Sequence, residues 1–283
     1  MDKSYNANSP LGPCVRTTGK TRSAYLIVIK LGGAAITDKA RLSVINRRTI
    51  ASTARVLATR RDYMLVHGAG SFGHIPVRKY GLEGPIRSHG QLIGYAKTKA
   101  SLLKLESEVV SILAQERIPV APVAASSCLM ADQGRIISQN FEMIASMLKL
   151  GLVPCIGGDL VQDISLGASV VSGDQIAVNL AMAFHAHTVI FGTDVDGLFT
   201  ADPKLDHKAR LISTLDITKL QEWARKAGPA SAPDASGGMK GKLTEVLPAV
   251  RAGIRVVIVN LNHPERLRKA MAGEPVKGTT IVG

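Results

Sequence analysis

Short apolar stretches alternate with amphipathic ones along nearly the whole chain from residue 24 onward. Strands are predicted at residues 24–30, 63–67, 119–123, 152–157, 187–192 and 255–260. Residues 89–116 and 239–252 repeat apolar side chains at helical spacing, the former as one long helix or two abutting ones. Residues 159–173 alternate apolar and polar side chains around a glycine turn, which predicts a β-hairpin. This order predicts an α/β fold with a mainly parallel sheet that helices cover on both faces.

Composition limits the class of protein. Of the 283 residues, 46% are hydrophobic, which is enough for a substantial core. Cys14, Cys128 and Cys155 are widely spaced, so we expect cytoplasmic thiols and no structural zinc. No apolar run approaches the roughly 18 residues of a membrane helix, so no membrane partner is expected. Residues 1–23 lack a signal-peptide core and are expected to form a flexible tail before a single domain at residues 24–283.

The formal net charge of +13 is compatible with nucleic-acid binding, since clustered Lys and Arg side chains displace counterions from phosphates. Aromatic residues make up only 4% of the chain, however, and no basic block is interleaved with stacking side chains. We therefore expect no nucleic-acid partner and attribute the charge to attraction of small anionic substrates. Steep salt dependence of DNA or RNA binding would favour the alternative.

The first predicted strand ends in a glycine turn, KLGGAAITDK, at residues 30–39. Gly32 and Gly33 carry no side chains, so backbone N–H groups can approach an anion there, and Lys30 and Lys39 flank them with positive charge. This composition predicts a phosphate site. The alternative is a tight strand-to-helix turn with solvated lysines, and it is less favoured because two further glycine turns follow.

The second predicted strand runs into LVHGAGSFGH, residues 65–74, which matches G-x-G-x-x-G between a strand and a helix. A dinucleotide site would also need an acidic residue at the end of the next strand, but residues 119–123 run into Ala124 and Ala125. Nicotinamide or flavin binding is therefore disfavoured. Bare backbone at a helix N-terminus still predicts an anion site, with His74 as a hydrogen-bond donor to the anion.

A third glycine cluster, ASGGMKGK at residues 235–242, opens the last long predicted helix. Gly237 and Gly238 leave the N-terminal amides open, and Lys242 lies about one turn inside, where it can reach a phosphate. No Ser or Thr follows Lys242, so the cluster is not a Walker P-loop.

Four aspartates are placed where they can organise lysines or a metal ion: Asp159, Asp174, Asp194 and Asp196. An aspartate just before a helix is often only an N-cap, which is the alternative for Asp174. Asp196 precedes Gly197, so a simple turn is the alternative there.

These motifs follow one another over nearly all of residues 24–283: KLGG, HGAGSFGH, GGD, SGDQIA, TDVDGLFTADP and GGMKGK. In this set and order the chain resembles the amino acid kinase family. The resemblance implies a three-layer αβα sandwich with an open, mainly parallel sheet of about eight strands, and a homodimer. Residues 24–171 would then lie mainly on the acceptor side and residues 172–283 mainly on the nucleotide side.

The resemblance also implies an activity. A glycine loop that ends in histidine, here His74, is similar to the branch of the family that transfers phosphate from ATP to isopentenyl phosphate, which gives isopentenyl diphosphate for isoprene biosynthesis. A branch that phosphorylates fosfomycin shares this histidine and remains an alternative, as does UMP as acceptor. A nucleotide-sensing module on the same fold is the non-enzymatic alternative, disfavoured because every charge that serves transfer is present.

Site residues are implied by the resemblance, position by position. Lys30 and Lys242 would neutralise the ATP phosphates, Asp174 would orient these lysines, and Lys39 would stabilise the transition state. Contacts to ATP are implied for Lys30, Gly32, Gly33, Gly70, Thr193, Asp194, Asp196, Gly197, Leu198, Gly238 and Lys242. Contacts to the acceptor phosphate are implied for Gly68, Ala69, Gly73, His74, Gly158 and Asp159. Mg²⁺ would be held mainly by the ATP phosphates, with no protein ligand assigned.

Overall fold

The computed structural model of the protein covers most of the predicted elements. It describes residues 26–38, 41–201, 206–226 and 238–283. Within the helices concerned, the side chains of residues 223–226 and 238–242 are not described. The tail predicted at residues 1–23, together with Lys39 and Gly237, lies outside the described residues.

Strands and helices alternate through the described residues. The strands are β1 (Ile27–Leu31), β2 (Tyr63–His67), β3 (Val120–Val123), β4 (Leu129–Asp132), β5 (Arg135–Gln139), β6 (Val153–Gly157), β7 (Asp159–Asp163), β8 (Gly167–Val171), β9 (Thr188–Thr193), β10 (Leu198–Phe199), β11 (Leu211–Ile212), β12 (Thr214–Asp216), β13 (Arg255–Asn260) and β14 (Thr279–Val282). The helices are α1 (Gly33–Ile36), α2 (Arg47–Leu57), α3 (Gly70–Lys79), α4 (His89–Gln115), α5 (Glu142–Leu150), α6 (Gly173–Ala183), α7 (Ile217–Lys226), α8 (Gly238–Arg251) and α9 (Pro264–Met271). A 3₁₀ turn, Ala125–Ser127, separates β3 from β4.

Eight strands form the central sheet, in the order β12-β14-β13-β9-β1-β2-β6-β3. The six strands from β13 to β3 run parallel, β14 is antiparallel to β13, and β12 is parallel to β14. β1 lies at the centre, with Ile29 opposite Leu65 of β2 and Ile190 of β9. The predicted α/β fold with an open, mainly parallel sheet is confirmed.

Side chains of the central strands alternate between two apolar layers. Ile27 and Ile29 of β1 pack with residues of α2, α4 and α9 on one face, whereas Val28 packs with residues of α5, α6 and α8 on the other. Because helices cover both faces, β1 and β2 are buried along their whole length, as is usual for parallel strands. Lys30 has the same parity as Val28, and its side chain meets α6 at the end of the strand.

A second sheet has four strands in the order β5-β4-β7-β8. The hairpin predicted for residues 159–173 is confirmed as β7 and β8, with Asp159 opposite Val171 and Asp163 opposite Gly167. Its partners β4 and β5 were not predicted, because each has only four or five residues and β5 is largely exposed. Such strands lack the buried, alternating pattern by which strands are recognised in a sequence.

Residues 89–115 form one helix, α4, instead of two. A capping box fixes its start: Ser88 Oγ accepts a hydrogen bond from Gln91 N at 3.2 Å, and Gln91 Oε1 accepts one from Ser88 N at 3.1 Å. Leu102 and Leu105 lie on its buried face. Although α4 is 27 residues long, neither it nor any other helix of the described ranges is apolar enough to cross a membrane.

The cysteines that the structure describes are buried thiols, as predicted. Cys128 and Cys155 are both free and buried. Burial raises the pKa of the Cys128 thiol to about 11, so this group stays protonated at neutral pH and is a poor nucleophile. Cys14 lies outside the described residues.

Candidate active site

Three glycine turns extend from the carboxyl ends of neighbouring strands of the central sheet. Gly32 N donates a hydrogen bond to Gly192 O at 2.8 Å, Gly68 N to Leu31 O at 2.8 Å, and Gly158 N to His67 O at 2.8 Å. These bonds continue the ladders of β1, β2 and β6 by one residue, so the turns begin side by side. They also occupy the N–H groups of all three glycines, which corrects the expectation that Gly32 and Gly158 donate to phosphates.

The turns after β1 and β2 touch through bare backbone. A Cβ atom on Gly33 would lie 2.5 Å from Gly70 N, and one on Gly68 would lie 2.5 Å from Gly33 N. Gly70 has a φ of +51°, in the left-handed region that favours glycine. Thr37 ties the two turns together, because its Oγ1 donates to Gly33 O at 2.8 Å and accepts from Ser71 N at 3.1 Å. A side chain at these glycines would force the turns apart.

The N-termini of two helices meet at the third of these turns, the one that follows β6 and contains Gly158. A Cβ atom on Gly158 would lie 3.1 Å from Gly173 N, the first residue of α6, and 3.5 Å from Ala69 N, next to the start of α3. The first N–H groups of a helix have no partner within the helix and carry partial positive charge. The starts of α3 and α6 therefore form one concave patch of amides that suits an anion.

Lys30 and Asp174 form a buried ion pair at this patch. Lys30 Nζ lies 2.7 Å from Asp174 Oδ1, and each side chain is 9% exposed. Asp174 is not the N-cap of α6, since Ser172 Oγ takes that role by accepting from Gln175 N at 3.1 Å. A Cβ atom on Gly173 would lie 3.4 Å from Lys30 Cε, so the lysine stem runs along the backbone at the helix start. The pair that the sequence predicted is therefore assembled.

His74 lies on α3 as its fifth residue and is half-buried, so it stands one turn inside the helix and not at its first residue. Gly73, also expected to contact substrate, has a packing role. A Cβ atom there would lie 2.5 Å from Ala69 Cβ and 3.2 Å from Leu102 Cδ2 of α4. The glycine thus lets α3 lie close against α4.

His67 is a buried histidine at the end of β2. Burial, helped by the charge of nearby Lys30, lowers the pKa of its imidazole to about 4. Its ring packs against the third turn, because a Cβ atom on Gly157 would lie 2.7 Å from His67 Cε1. A neutral imidazole therefore forms part of the floor beneath the turn.

Asp159 follows the third turn and is held by a lysine that the sequence analysis missed. Lys99 Nζ of α4 lies 2.6 Å and 2.5 Å from the two oxygens of the Asp159 carboxylate. Lys99 also donates to Ser126 Oγ at 2.9 Å. The signal in the sequence is a lysine three residues before Leu102, beside the apolar stripe of a predicted helix.

The segment 193–199, expected to shape the nucleotide pocket, is fixed by its own contacts. Thr193 Oγ1 donates to Val195 O at 2.7 Å, and Leu198 N donates to Thr279 Oγ1 at 2.8 Å. A Cβ atom on Gly197 would lie 2.5 Å from Thr279 Oγ1, so this glycine is needed for close packing on β14.

Asp196 is engaged by three partners outside its own loop. Its Oδ1 lies 2.6 Å from an Arg266 nitrogen and accepts from Asn260 Nδ2 at 3.0 Å, and its Oδ2 lies 2.9 Å from Lys277 Nζ. These donors hold the pKa of the carboxyl well below its usual range, against the opposing effect of burial. The side chain therefore anchors the loop, and sequence analysis missed Arg266 and Lys277 because no motif contains them.

The remaining predicted lysines are not placed. Lys39 lies outside the described residues, and only the backbone of Lys242 is described, as the fifth residue of α8. Gly238 begins α8, as the sequence predicted. Among the described residues, no three His, Cys, Asp or Glu side chains are grouped so that they could hold a metal ion.

An open α/β sheet with glycine turns, helix N-termini and a buried lysine–aspartate pair at the carboxyl ends of its central strands defines a phosphate-binding α/β protein. Comparison with known proteins gives the family. The sequence profile of the amino acid kinase family matches residues 26–260, and the chain belongs to that family.

Similar proteins include several isopentenyl phosphate kinases. That of Methanothermobacter thermautotrophicus is 36% identical over 267 residues, which cover 91% of this chain and 99% of the relative. That of Arabidopsis thaliana is 32% identical over 225 residues, covering 72% of this chain and 66% of the relative. A solved isopentenyl phosphate kinase superposes with a TM-score of 0.79 at 33% identity, covering 91% of this chain and 100% of the other. The structure of Thermoplasma acidophilum isopentenyl phosphate kinase in its product complex superposes with a TM-score of 0.73 at 27% identity, covering 90% of this chain and 99% of the other.

Proposed function

We propose that this chain transfers the γ-phosphate of ATP to isopentenyl phosphate and so forms isopentenyl diphosphate. The observation that carries the proposal is the meeting of the buried Lys30–Asp174 pair with the glycine turns after β1, β2 and β6. Relatives 36% and 32% identical over most of this chain are isopentenyl phosphate kinases, which favours this acceptor over others of the family.

The chemistry needs positioning and charge neutralisation more than proton transfer. A phosphate monoester is mostly dianionic near pH 7, since its second pKa is about 6, so its oxygen is already a nucleophile. We assign neutralisation of the ATP phosphates to Lys30 and Lys242 and stabilisation of the transition state to Lys39. Asp174 orients the Lys30 ammonium, as the 2.7 Å contact favours. No general base is required.

The turns fit the phosphate groups of ATP. A Cβ atom on Gly33 or Gly68 would collide with the neighbouring turn, so glycine at these positions lets the two turns lie together, and Lys30 supplies a cation beside them. We assign phosphate contacts to the N–H groups at Gly33, Gly70 and Gly238, and the adenine and ribose pocket to residues 193–199. Mg²⁺ would arrive with ATP and neutralise its phosphate oxygens, held mainly by those oxygens.

The acceptor phosphate is assigned to the amide patch around Gly158. Gly68 and Gly158 let the turns approach, the amide of Ala69 contributes a donor, and His74 donates from the second turn of α3. Gly73 and Asp159 support this site through α4, by packing and by the ion pair with Lys99.

On this proposal the chain is a single domain from residue 24, with residues 24–171 mainly on the acceptor side and 172–283 mainly on the nucleotide side. We propose a homodimer in the cytoplasm, as the family resemblance implies. Light scattering on the purified protein measures the oligomeric state.

A coupled ADP-release assay tests the function. Mg-ATP is offered with isopentenyl phosphate, dimethylallyl phosphate, fosfomycin and UMP in parallel. We expect the two prenyl phosphates to exceed fosfomycin and UMP by about tenfold or more in kcat/KM, the discrimination typical of an apolar pocket. Lys30→Met is expected to lose about a hundredfold or more in kcat, whereas Lys104→Met, an exposed lysine of α4, keeps wild-type rates. Turnover of fosfomycin or UMP alone would overturn the acceptor, and no turnover of any of the four would contradict the proposed activity.

A further inference from the structure

Lys99 and Asp159 form a compact polar cluster beside the third glycine turn. The Lys99 ammonium contacts three acceptors, the two oxygens of Asp159 at 2.6 Å and 2.5 Å and Ser126 Oγ at 2.9 Å. The Asp159 side chain is 9% exposed and that of Lys99 is 21% exposed. The three donors of the ammonium are therefore all used within the protein.

The same carboxylate also orders the backbone around it. Asp159 Oδ1 accepts from Leu160 N at 2.8 Å, and Oδ2 accepts from Ser126 N at 3.2 Å. The cluster thus joins three pieces of the chain: α4, the 3₁₀ turn at Ala125–Ser127, and the first residues of β7. Each piece comes from a different part of the sequence, so the cluster fixes where the end of the third turn lies.

The turn is held from its other end by the backbone of β2. Gly158 N donates to His67 O at 2.8 Å, and Gly158 packs against the amides at the starts of α3 and α6. The backbone from Gly157 to Asp159 is therefore held by the His67 carbonyl of β2 through Gly158 N, and by the Lys99 ammonium through the Asp159 carboxylate. Loss of either contact would let Gly158 move relative to the amide patch at the starts of α3 and α6.

Charge adds a second reason for Lys99. Asp159 is a buried carboxylate within a few residues of the patch assigned to a dianionic phosphate, and like charges in a poorly solvated site repel strongly. Glu106, about two turns further along α4, adds negative charge on the same side. Lys99 is the cation that neutralises Asp159 directly.

We infer that Lys99 is a positioning residue, which holds Asp159 and the turn before it in the place where the acceptor phosphate binds and cancels the charge that would repel it. The inference rests on the proposed function, because it assigns the acceptor to this turn. It predicts an effect on acceptor binding and little effect on ATP binding.

The kinetic test is a double-mutant cycle of Lys99→Met, Asp159→Asn and the pair of changes together. We expect Lys99→Met to raise KM for isopentenyl phosphate about tenfold or more, as is usual when one partner of a buried charge pair is removed, with KM for ATP within about twofold of wild type. The double variant should be no worse than Lys99→Met alone, because the two side chains act as one unit. Lys99→Arg should recover most of the affinity, and Lys104→Met is the matched control on the same helix.

Peptide-resolved hydrogen exchange over residues 152–162 tests the positioning role without any substrate. Exchange should be faster in Lys99→Met and unchanged in Lys104→Met. If Lys99→Met does not fold, the KM values and the hydrogen exchange are measured on the double variant instead, because it leaves no buried charge without a partner. Additive effects in the cycle, equal changes in both KM values, or unchanged exchange in this segment would each overturn the inference. Failure of the wild-type protein to use isopentenyl phosphate would instead overturn the proposed function, and the exchange measurement would still decide the role of Lys99.

Discussion

At the scale of single residues, the buried charges of two lysines and two aspartates beside the glycine turns occur in pairs. Lys30 with Asp174 and Lys99 with Asp159 place four ionised side chains at low exposure next to the glycine turns. A lone buried charge is strongly unfavourable, whereas a hydrogen-bonded pair is tolerated. In both pairs the lysine ammonium neutralises the carboxylate directly.

His74 gives the prediction at this scale. In His74→Ala the acceptor phosphate loses a donor, and a hydrogen bond to a charged group is worth about 1.5–3 kcal/mol. We expect KM for isopentenyl phosphate to rise roughly tenfold to a hundredfold, with the dissociation constant of ATP unchanged, as measured by steady-state kinetics and calorimetry. His89→Ala, at an exposed position at the start of α4, is the control. An unchanged KM in His74→Ala would remove the role assigned to this histidine.

The sequence contained part of this site. Lys30, Asp174 and the glycines of the first two turns could be predicted because they lie in short motifs directly after strands. Lys99 could not, because its partner Asp159 is 60 residues away and the register of α4 against β7 is set by tertiary packing. The occupied N–H groups of Gly32 and Gly158 were missed for a similar reason, since their acceptors lie on neighbouring strands.

At the scale of elements, apolar strands that are buried on both faces were predicted well. Residues 63–67 and 255–260 form strands with the predicted bounds, and the neighbouring strands differ by one or a few residues. The edge strand β12, its neighbour β14 and the short pairs β4–β5 and β10–β11 were missed. They have two to five residues, so local pattern carries little information about them, and β12 also pairs with β14, which lies far away in sequence.

Asp196 gives the prediction at this scale, because it fastens the loop between β9 and β10 to α9 and to the segment before β14. Its folded-state pKa lies below the ordinary value, so its contribution to stability is present at neutral pH and is lost as pH falls below about 4. We expect Asp196→Asn to lower the free energy of unfolding at pH 7 by about 1–3 kcal/mol. Chemical denaturation at pH 7 and at pH 3 measures the difference.

The same experiment has a clear control. Glu83→Gln changes an exposed carboxyl and should leave stability unchanged at both pH values. The gap between wild type and Asp196→Asn should shrink at pH 3, because the Asp196 carboxyl of the unfolded wild-type chain is then largely protonated, whereas that of the folded protein stays ionised. A gap that is equal at both pH values would show that the ion pairs of Asp196 add nothing to the stability.

At the scale of the whole molecule, the central sheet brings the parts of the site together at the carboxyl ends of its parallel strands. The glycine turns after β1, β2 and β6 and the start of α6 come from residues far apart in sequence, and parallel pairing places them together. The net charge of +13 then acts as a long-range attraction for anionic substrates, which we expect to weaken with ionic strength. The fold therefore explains how widely separated motifs come together at one place, where we propose that phosphate binds.

The most direct test of the central claim is the identity of the product. ADP release alone would also follow from transfer of phosphate to water, so the reaction of wild-type protein with Mg-ATP and isopentenyl phosphate should be followed by ³¹P NMR. We predict loss of the monoester resonance and growth of the two coupled resonances of a prenyl diphosphate, in step with ADP. Growth of inorganic phosphate beside an unchanged monoester would contradict the account.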